Sequence, residues 1–260
     1  MGQVRRRYGC ARAPAVGAKP IGPFALTCAL LLVFLENGQA QFTSAGQANS
    51  PEEFDAYLLV LSKPSPKEVI LAAGEFERHW PRSELLAHIF ELELEAYRLL
   101  GDSAKAILAG EKALKVAPGN LVVLANLGYI IASSTPDPQQ LARAEGYARR
   151  ELEVSKSIRV PKRISPREWD EIQGHLGSIA HATLGLVIYK RGEVAEAVRE
   201  FETAVKLAPV PDPTQIYRLG MLYRASGNLS GAIEMLRRAA ELNDPTIREL
   251  AQRELKSLRR

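Results

Sequence analysis

A chain of 260 residues with 46% hydrophobic and 25% charged side chains has room for one or two buried cores, which excludes an intrinsically disordered protein. The formal net charge of +4 invites a nucleic-acid reading, but the excess sits at one end. Residues 1–40 hold five of the 34 basic residues and one of the 30 acidic residues, so 29 of each sign remain beyond them and that reading loses its support.

The chain opens with Arg5, Arg6, Arg7, Arg12 and Lys19, followed by an apolar run from Phe24 to Leu35 broken only by Thr27, then Gly38-Gln39-Ala40 before Gln41. A basic stretch, a short apolar run and small residues before a cleavage point are the parts of a secretory signal peptide. The run makes about 18 Å of helix, short of the roughly 30 Å bilayer core, so a cleaved signal over 1–40 is expected, with no stable membrane span after cleavage. Thr27 before Cys28, inside the apolar run, argues against lipidation, and Arg5-Arg6 lacks the flanks of a twin-arginine signal. Both cysteines, Cys10 and Cys28, leave with the signal, which removes disulfides, thiolate metal sites and cysteine nucleophiles from the mature chain. An exported protein, periplasmic or secreted, is expected.

Residues 41–49 read as a flexible lead-in, and helix starts then follow one grammar. Ser50-Pro51, Ser65-Pro66, Asp137-Pro138, Ser165-Pro166 and Asp212-Pro213 each put an oxygen-bearing side chain at the N-cap, proline at the first helical position, and Glu or Gln at the third. Asp244-Pro245 repeats the first two elements. Apolar residues between these starts recur with helical period, as in Trp169, Ile172, Leu176 and Ile179. Helices are predicted over 51–62, 66–79, 83–100, 103–116, 121–133, 138–155, 166–190, 194–208, 213–225, 229–242 and 245–258. Short linkers between them make an all-α array of antiparallel hairpins.

The array carries an internal echo. Leu184-Gly185, Gly192, Ala197, Phe201, Ala204 and Pro209 recur 35 residues later as Leu219-Gly220, Gly227, Ala232, Leu236, Ala239 and Asp244, and Leu127-Gly128 opens another copy. This spacing and these residues resemble the tetratricopeptide repeat, a helical hairpin of about 34 residues that stacks into an α-solenoid. The resemblance implies a superhelix of about five units, near 50–81, 87–118, 121–154, 178–209 and 213–244, interrupted by a basic insert at 155–177 and closed by a capping helix over 244–260. The unit from Ala87 departs at Glu93 and Leu94, where Leu and Gly would be expected, and the unit from Leu121 carries extra residues at Thr135-Pro136-Asp137-Pro138.

The resemblance also implies a function: protein or peptide partners lie in the groove lined by the first helix of each unit. Carried over, that lining includes Asn126, Tyr129, Leu186, Tyr189, Tyr217, Met221 and Arg224, apolar and aromatic with a few cations at its edge. It suits an amphipathic helix or an extended peptide, or a cover formed by the chain's own insert. Asn126 and Arg218 fall where some family members hold a C-terminal carboxylate, but Glu91 and Glu95 stand where that clamp needs Lys and Asn, so it is not expected, and Asn126 reads as a structural hydrogen-bonding residue.

Lys156, Arg159, Lys162, Arg163 and Arg167 form a basic arm outside the repeats, read as a solvated connector or as a contact for an acidic partner, a phosphate-rich surface or anionic lipid. No phosphate loop, His-Glu-x-x-His pair or Gly-x-Ser-x-Gly elbow occurs, and His79, His88, His175 and His181 are scattered. His181, at a large packing position, reads as core. The expectation is a non-enzymatic adaptor without metal or cofactor, the alternative being a self-associating structural subunit.

Overall fold

The computed structural model describes residues 46–161 and 164–258, so the expected signal peptide, residues 41–45 of the lead-in, Lys162, Arg163, Arg259 and Arg260 lie outside the described residues. Among the described residues there are eleven α-helices and no strand: α1 (Pro51–Leu61), α2 (Pro66–His79), α3 (Leu86–Leu99), α4 (Ser103–Val116), α5 (Leu121–Ser134), α6 (Pro138–Ser157), α7 (Pro166–Lys190), α8 (Val194–Leu207), α9 (Pro213–Ala225), α10 (Leu229–Glu241) and α11 (Pro245–Ser257). None is long and apolar enough to cross a membrane.

The six proline starts work as local chemistry demands. Ser50, Ser65, Asp137, Ser165, Asp212 and Asp244 each accept a hydrogen bond from a backbone N–H of the first turn of α1, α2, α6, α7, α9 and α11. Ser165 and Glu168 close a reciprocal capping box, with Ser165 N donating to Glu168 Oε2 at 2.9 Å. At α1 the corresponding Glu53 reaches past the cap instead and accepts from Asn49 N at 2.6 Å. The third helix starts at Leu86 rather than at Ser83, because Ser83 N donates to Trp80 O and Ser83 Oγ accepts from Leu85 N at 3.0 Å, which closes a turn ahead of the helix.

Three hairpin turns share one closure. Gly101, Gly192 and Gly227 have φ of 75°, 90° and 83°. Asp102 N, Glu193 N and Asn228 N then donate to Tyr97 O, Ile188 O and Tyr223 O, five residues back, so orphan carbonyls at the ends of α3, α7 and α9 are satisfied. The α5–α6 turn, where the extra residues lie, lacks this glycine.

Consecutive helices pack as α1/α2, α3/α4, α5/α6, α7/α8 and α9/α10 hairpins stacked in order, with α11 covering α10 and α9. Small residues set the approach. A Cβ on Gly185 would lie 2.5 Å from Phe201 Cδ2, and one on Gly220 would lie 3.0 Å from Leu236 Cγ. Ala106, Ala113, Ala144, Ala148, Ala197, Ala204, Ala232 and Ala239 are fully buried between helices. On the capping helix, Ile247 and Ala251 are buried, and Arg248 donates to Ala240 O and Leu242 O at the end of α10.

The interruption is a helical extension. α6 and α7 run 20 and 25 residues against 13 or 14 for α8 to α10. Gln173 Nε2 on α7 donates to Ser155 O at 3.0 Å on α6, and Trp169, Ile172 and Leu176 are buried along α7. Glu151 on α6 is also fully buried, and neither carboxyl oxygen has a hydrogen-bond partner among the described residues. Burial pushes its pKa up to about 7.

Candidate functional site

An open groove of 540 Å³ lies between α7 and α9, over α8. α5 packs on α7 along the stack, but the corresponding contact between α7 and α9 is far smaller, and that gap is the groove. Its floor is apolar: Leu186, Phe201 and Leu222 are buried. Phe201 belongs there because Gly185 has no side chain, so the ring lies directly against α7. Tyr189, Tyr217 and Met221 form the walls, and Tyr189 is 47% exposed. Arg218, Arg224 and Ala225 complete the lining.

Of the seven residues expected from the sequence, this groove brings together Leu186, Tyr189, Tyr217, Met221 and Arg224. Asn126 and Tyr129 do not line it. Asn126 is half-buried and its Nδ2 donates to Val122 O at 2.9 Å, one turn back on its own helix. Tyr129 Oη accepts from Arg218 NH1 at 2.9 Å, and the guanidinium carbon sits 5.2 Å from the ring centroid. Ala125 and Ala132 of the same unit are fully buried, so the α5 part of the expected lining is covered. The cover is α7, which packs on α5.

Two cations tie this face together. Lys190 Nζ, at the end of α7, donates to Ala132 O at 2.6 Å and Thr135 O at 2.8 Å, satisfying carbonyls at the end of α5. Burial, and then the nearby charge of Arg218, lower its pKa. Arg224 is ion-paired with Glu254 of α11 and donates to Ser257 Oγ at 3.2 Å, so the capping helix holds one wall of the groove.

The clamp-related glutamates are not in the groove. Glu91 is buried and accepts from Asn120 Nδ2 at 2.7 Å, and burial raises its pKa to about 7. Glu95 is ion-paired with Arg98. Nearby, Tyr57 and His88 share a buried 2.6 Å hydrogen bond, and burial pushes His88 down to about 4. His181 is half-buried rather than core, with Nδ1 2.7 Å from Glu200 Oε2.

On the basic arm, Lys156, Arg159 and Arg167 are exposed, and Arg167 pairs with Glu171 at 3.2 Å. Lys162 and Arg163 lie outside the described residues. Phe201 reads in the sequence as repeat core rather than groove, and Leu222 carries no repeat signal of its own. Arg218 was visible only through its clamp-like position.

A sequence model of the tetratricopeptide repeat matches residues 216–245. No curated protein sequence gives a significant match. Among solved structures, the chain is similar to MamA residues 41 to the end from Desulfovibrio magneticus RS-1, with 17% identity and a TM-score of 0.54 over 75% of this chain and 97% of that one. It is also similar to YrrB, described as a TPR protein with an unusual peptide-binding site, at 18% identity and a TM-score of 0.50 over 79% and 92%. A third is BtubC from P. vanneervenii, at 20% identity and a TM-score of 0.50 over 76% and 78%. At these identities the likeness is one of fold. The chain folds as a tetratricopeptide-like α-solenoid, an architecture typical of protein-interaction adaptors, and its fifth hairpin carries a recognised repeat.

Proposed function

We propose that this chain is an exported, non-enzymatic adaptor that holds a segment of a protein partner in the groove between α7 and α9. The observation that carries the reading is the convergence of Leu186, Tyr189, Phe201, Tyr217 and Met221 on one open 540 Å³ groove. Aromatic residues with few rotatable bonds, set on stacked helices, bind without ordering the backbone first, which leaves affinity to a few anchors. A protein of the same fold is described as having a peptide-binding site. Export, to the periplasm or the medium, rests on the pattern of residues 1–40.

Affinity capture from an envelope extract tests the binding reading. Wild type retains a protein that the Tyr189→Ala/Tyr217→Ala double variant loses while its thermal midpoint stays near wild type; equal capture by both overturns the assignment. A chain that sediments as a monomer at micromolar concentration supports the adaptor, whereas stable oligomers return the self-associating subunit. N-terminal sequencing of the protein from a fractionated cell, starting at Gln41, tests export.

A further inference from the structure

Several cations along the solenoid meet carboxylates: Arg98 with Glu95, Lys112 with Glu77, Arg143 with Glu111 and Arg191 with Glu145. The groove has no carboxylate among its described lining residues. Among the described residues its charged lining is Arg218 and Arg224, and Arg224 is neutralised by Glu254. Arg218 forms no ion pair among the described residues: its single hydrogen bond, from NH1, goes to the neutral hydroxyl of Tyr129. Lys190 beside it is likewise held by main-chain carbonyls alone. The negative end of α5 offsets Lys190 in part, and the nearest carboxylate on the Arg218 side is Asp212, which acts on Tyr129 but forms no ion pair with Arg218 and is held at the start of α9 by Thr214 N and Gln215 N.

Arg218 is held on Tyr129 by the NH1 bond and the cation–π contact, and its Nε and NH2 donors keep no protein hydrogen bond among the described residues. A planar pair of N–H donors fits a carboxylate in fork geometry. From Tyr217 to Ala225 the α9 wall spans about 12 Å, the length of three or four extended residues. Building on the peptide-binding reading above, we infer that the groove selects a peptide in which an Asp or Glu side chain stands within two residues of a bulky apolar residue. The apolar side chain rests on Leu186, Phe201 and Leu222, and the carboxylate meets Arg218. The groove's positive sign then rejects basic peptides of the same apolar content.

The test selects random linear peptides, displayed without a free C-terminus, on the wild-type chain and on Arg218→Gln, Arg218→Lys and Tyr189→Ala/Tyr217→Ala, each first shown by circular dichroism to keep the wild-type helix content at the assay temperature. Recovered sequences are then titrated as amidated fluorescent peptides. The expected result is enrichment of Asp or Glu beside Leu, Phe, Tyr or Trp. Affinity falls about tenfold in Arg218→Gln, is partly restored in Arg218→Lys, and weakens as salt rises from roughly 0.05 to 0.3 M. Exchange of the acid for Lys weakens binding by at least about tenfold. Peptides that lack an acid, bind wild type and Arg218→Gln equally, and are lost in the tyrosine variant overturn this inference while the groove reading stands. A recovered peptide that binds at least about tenfold tighter when resynthesised with a free C-terminal carboxylate, and keeps that affinity when its acid is replaced by Gln, overturns the side-chain assignment. Absence of any peptide sensitive to the tyrosine variant overturns both readings.

Discussion

Arg218 on α9 and Tyr129 on α5 are 89 positions apart, yet Arg218 NH1 donates to Tyr129 Oη at 2.9 Å and the guanidinium lies over the ring. The bond skips the intervening hairpin, which a stack held only by neighbour contacts would not require. It therefore acts as a strut across the face that holds the groove.

Tyr129→Phe keeps the ring under the guanidinium and loses the hydrogen bond, so it costs about 0.5–1.5 kcal/mol in urea unfolding. Tyr129→Leu loses the cation–π contact as well and costs about 0.5–1 kcal/mol more. A double-mutant cycle of Tyr129→Phe with Arg218→Gln should return a coupling above the roughly 0.3–0.5 kcal/mol expected of independent sites. Strict additivity would show that the strut carries no energy.

Glycines divide by what surrounds them. Gly185→Ala places a methyl 2.5 Å from Phe201 Cδ2, and Gly220→Leu overpacks Leu236, where even a Cβ stands 3.0 Å away. Each should cost about 1–3 kcal/mol, and Gly185→Ala should also disturb the groove floor. Gly146, mid-helix on α6, has nothing within 4 Å of an added Cβ, so Gly146→Ala should stabilise by about 0.5–1 kcal/mol. Thermal melts of the three variants check the order, and a wild-type midpoint for Gly220→Leu would mean that the hairpin packs otherwise.

Burial raises Glu91, Glu93 and Glu151 from 4.5 to about 7 and lowers His88 from 6.5 to about 4. For a carboxyl whose folded pKa exceeds its unfolded one, stability is fully present below about 4.5 and is lost as pH rises through about 7. His88 acts in the opposite sense, since the folded state resists its protonation and loses stability as pH falls from 6.5 toward 4. Between about pH 4.5 and 6.5 the three carboxyls outweigh the one histidine, so the melting temperature should fall steadily as pH rises from about 5 to about 8. Glu151→Met removes a buried, unpartnered carboxyl and should stabilise by on the order of 1–3 kcal/mol at pH 8, with the gain shrinking by pH 5. A gain that does not change with pH would rule out ionisation as its origin.

Ser165→Ala opens the capping box at the start of α7, where Ser165 Oγ accepts from Glu168 N at 3.2 Å. The expected cost is about 1 kcal/mol. Hydrogen exchange should speed up over the first turns of α7 and leave α9 and α10 unchanged, because the extension lies away from the groove. Uniform acceleration across the chain would show instead that the extension unfolds together with the whole stack.

The elements were readable because their signals are local. Proline starts, capping oxygens and left-handed glycines act within about one helical turn, so helix starts at Pro51, Pro66, Pro138, Pro166, Pro213 and Pro245 follow from adjacent residues. Leu86 escaped because its boundary rests on a turn through Trp80 and Ser83 rather than on a side-chain cap. Five groove residues were legible from repeat register alone.

What the residues could not announce is which pair of units opens. Repeat register treats every unit alike, and so it placed lining on α5, where Ala125 and Ala132 are buried. Whether a first helix faces solvent or its neighbour depends on how hairpins rotate against one another. That rotation sums many contacts between distant residues, such as Lys190 on Ala132 and Arg218 on Tyr129. Helices and turns were thus settled by short-range chemistry in the chain, whereas the groove and the arginine braced on Tyr129 beside it came from packing between residues tens of positions apart.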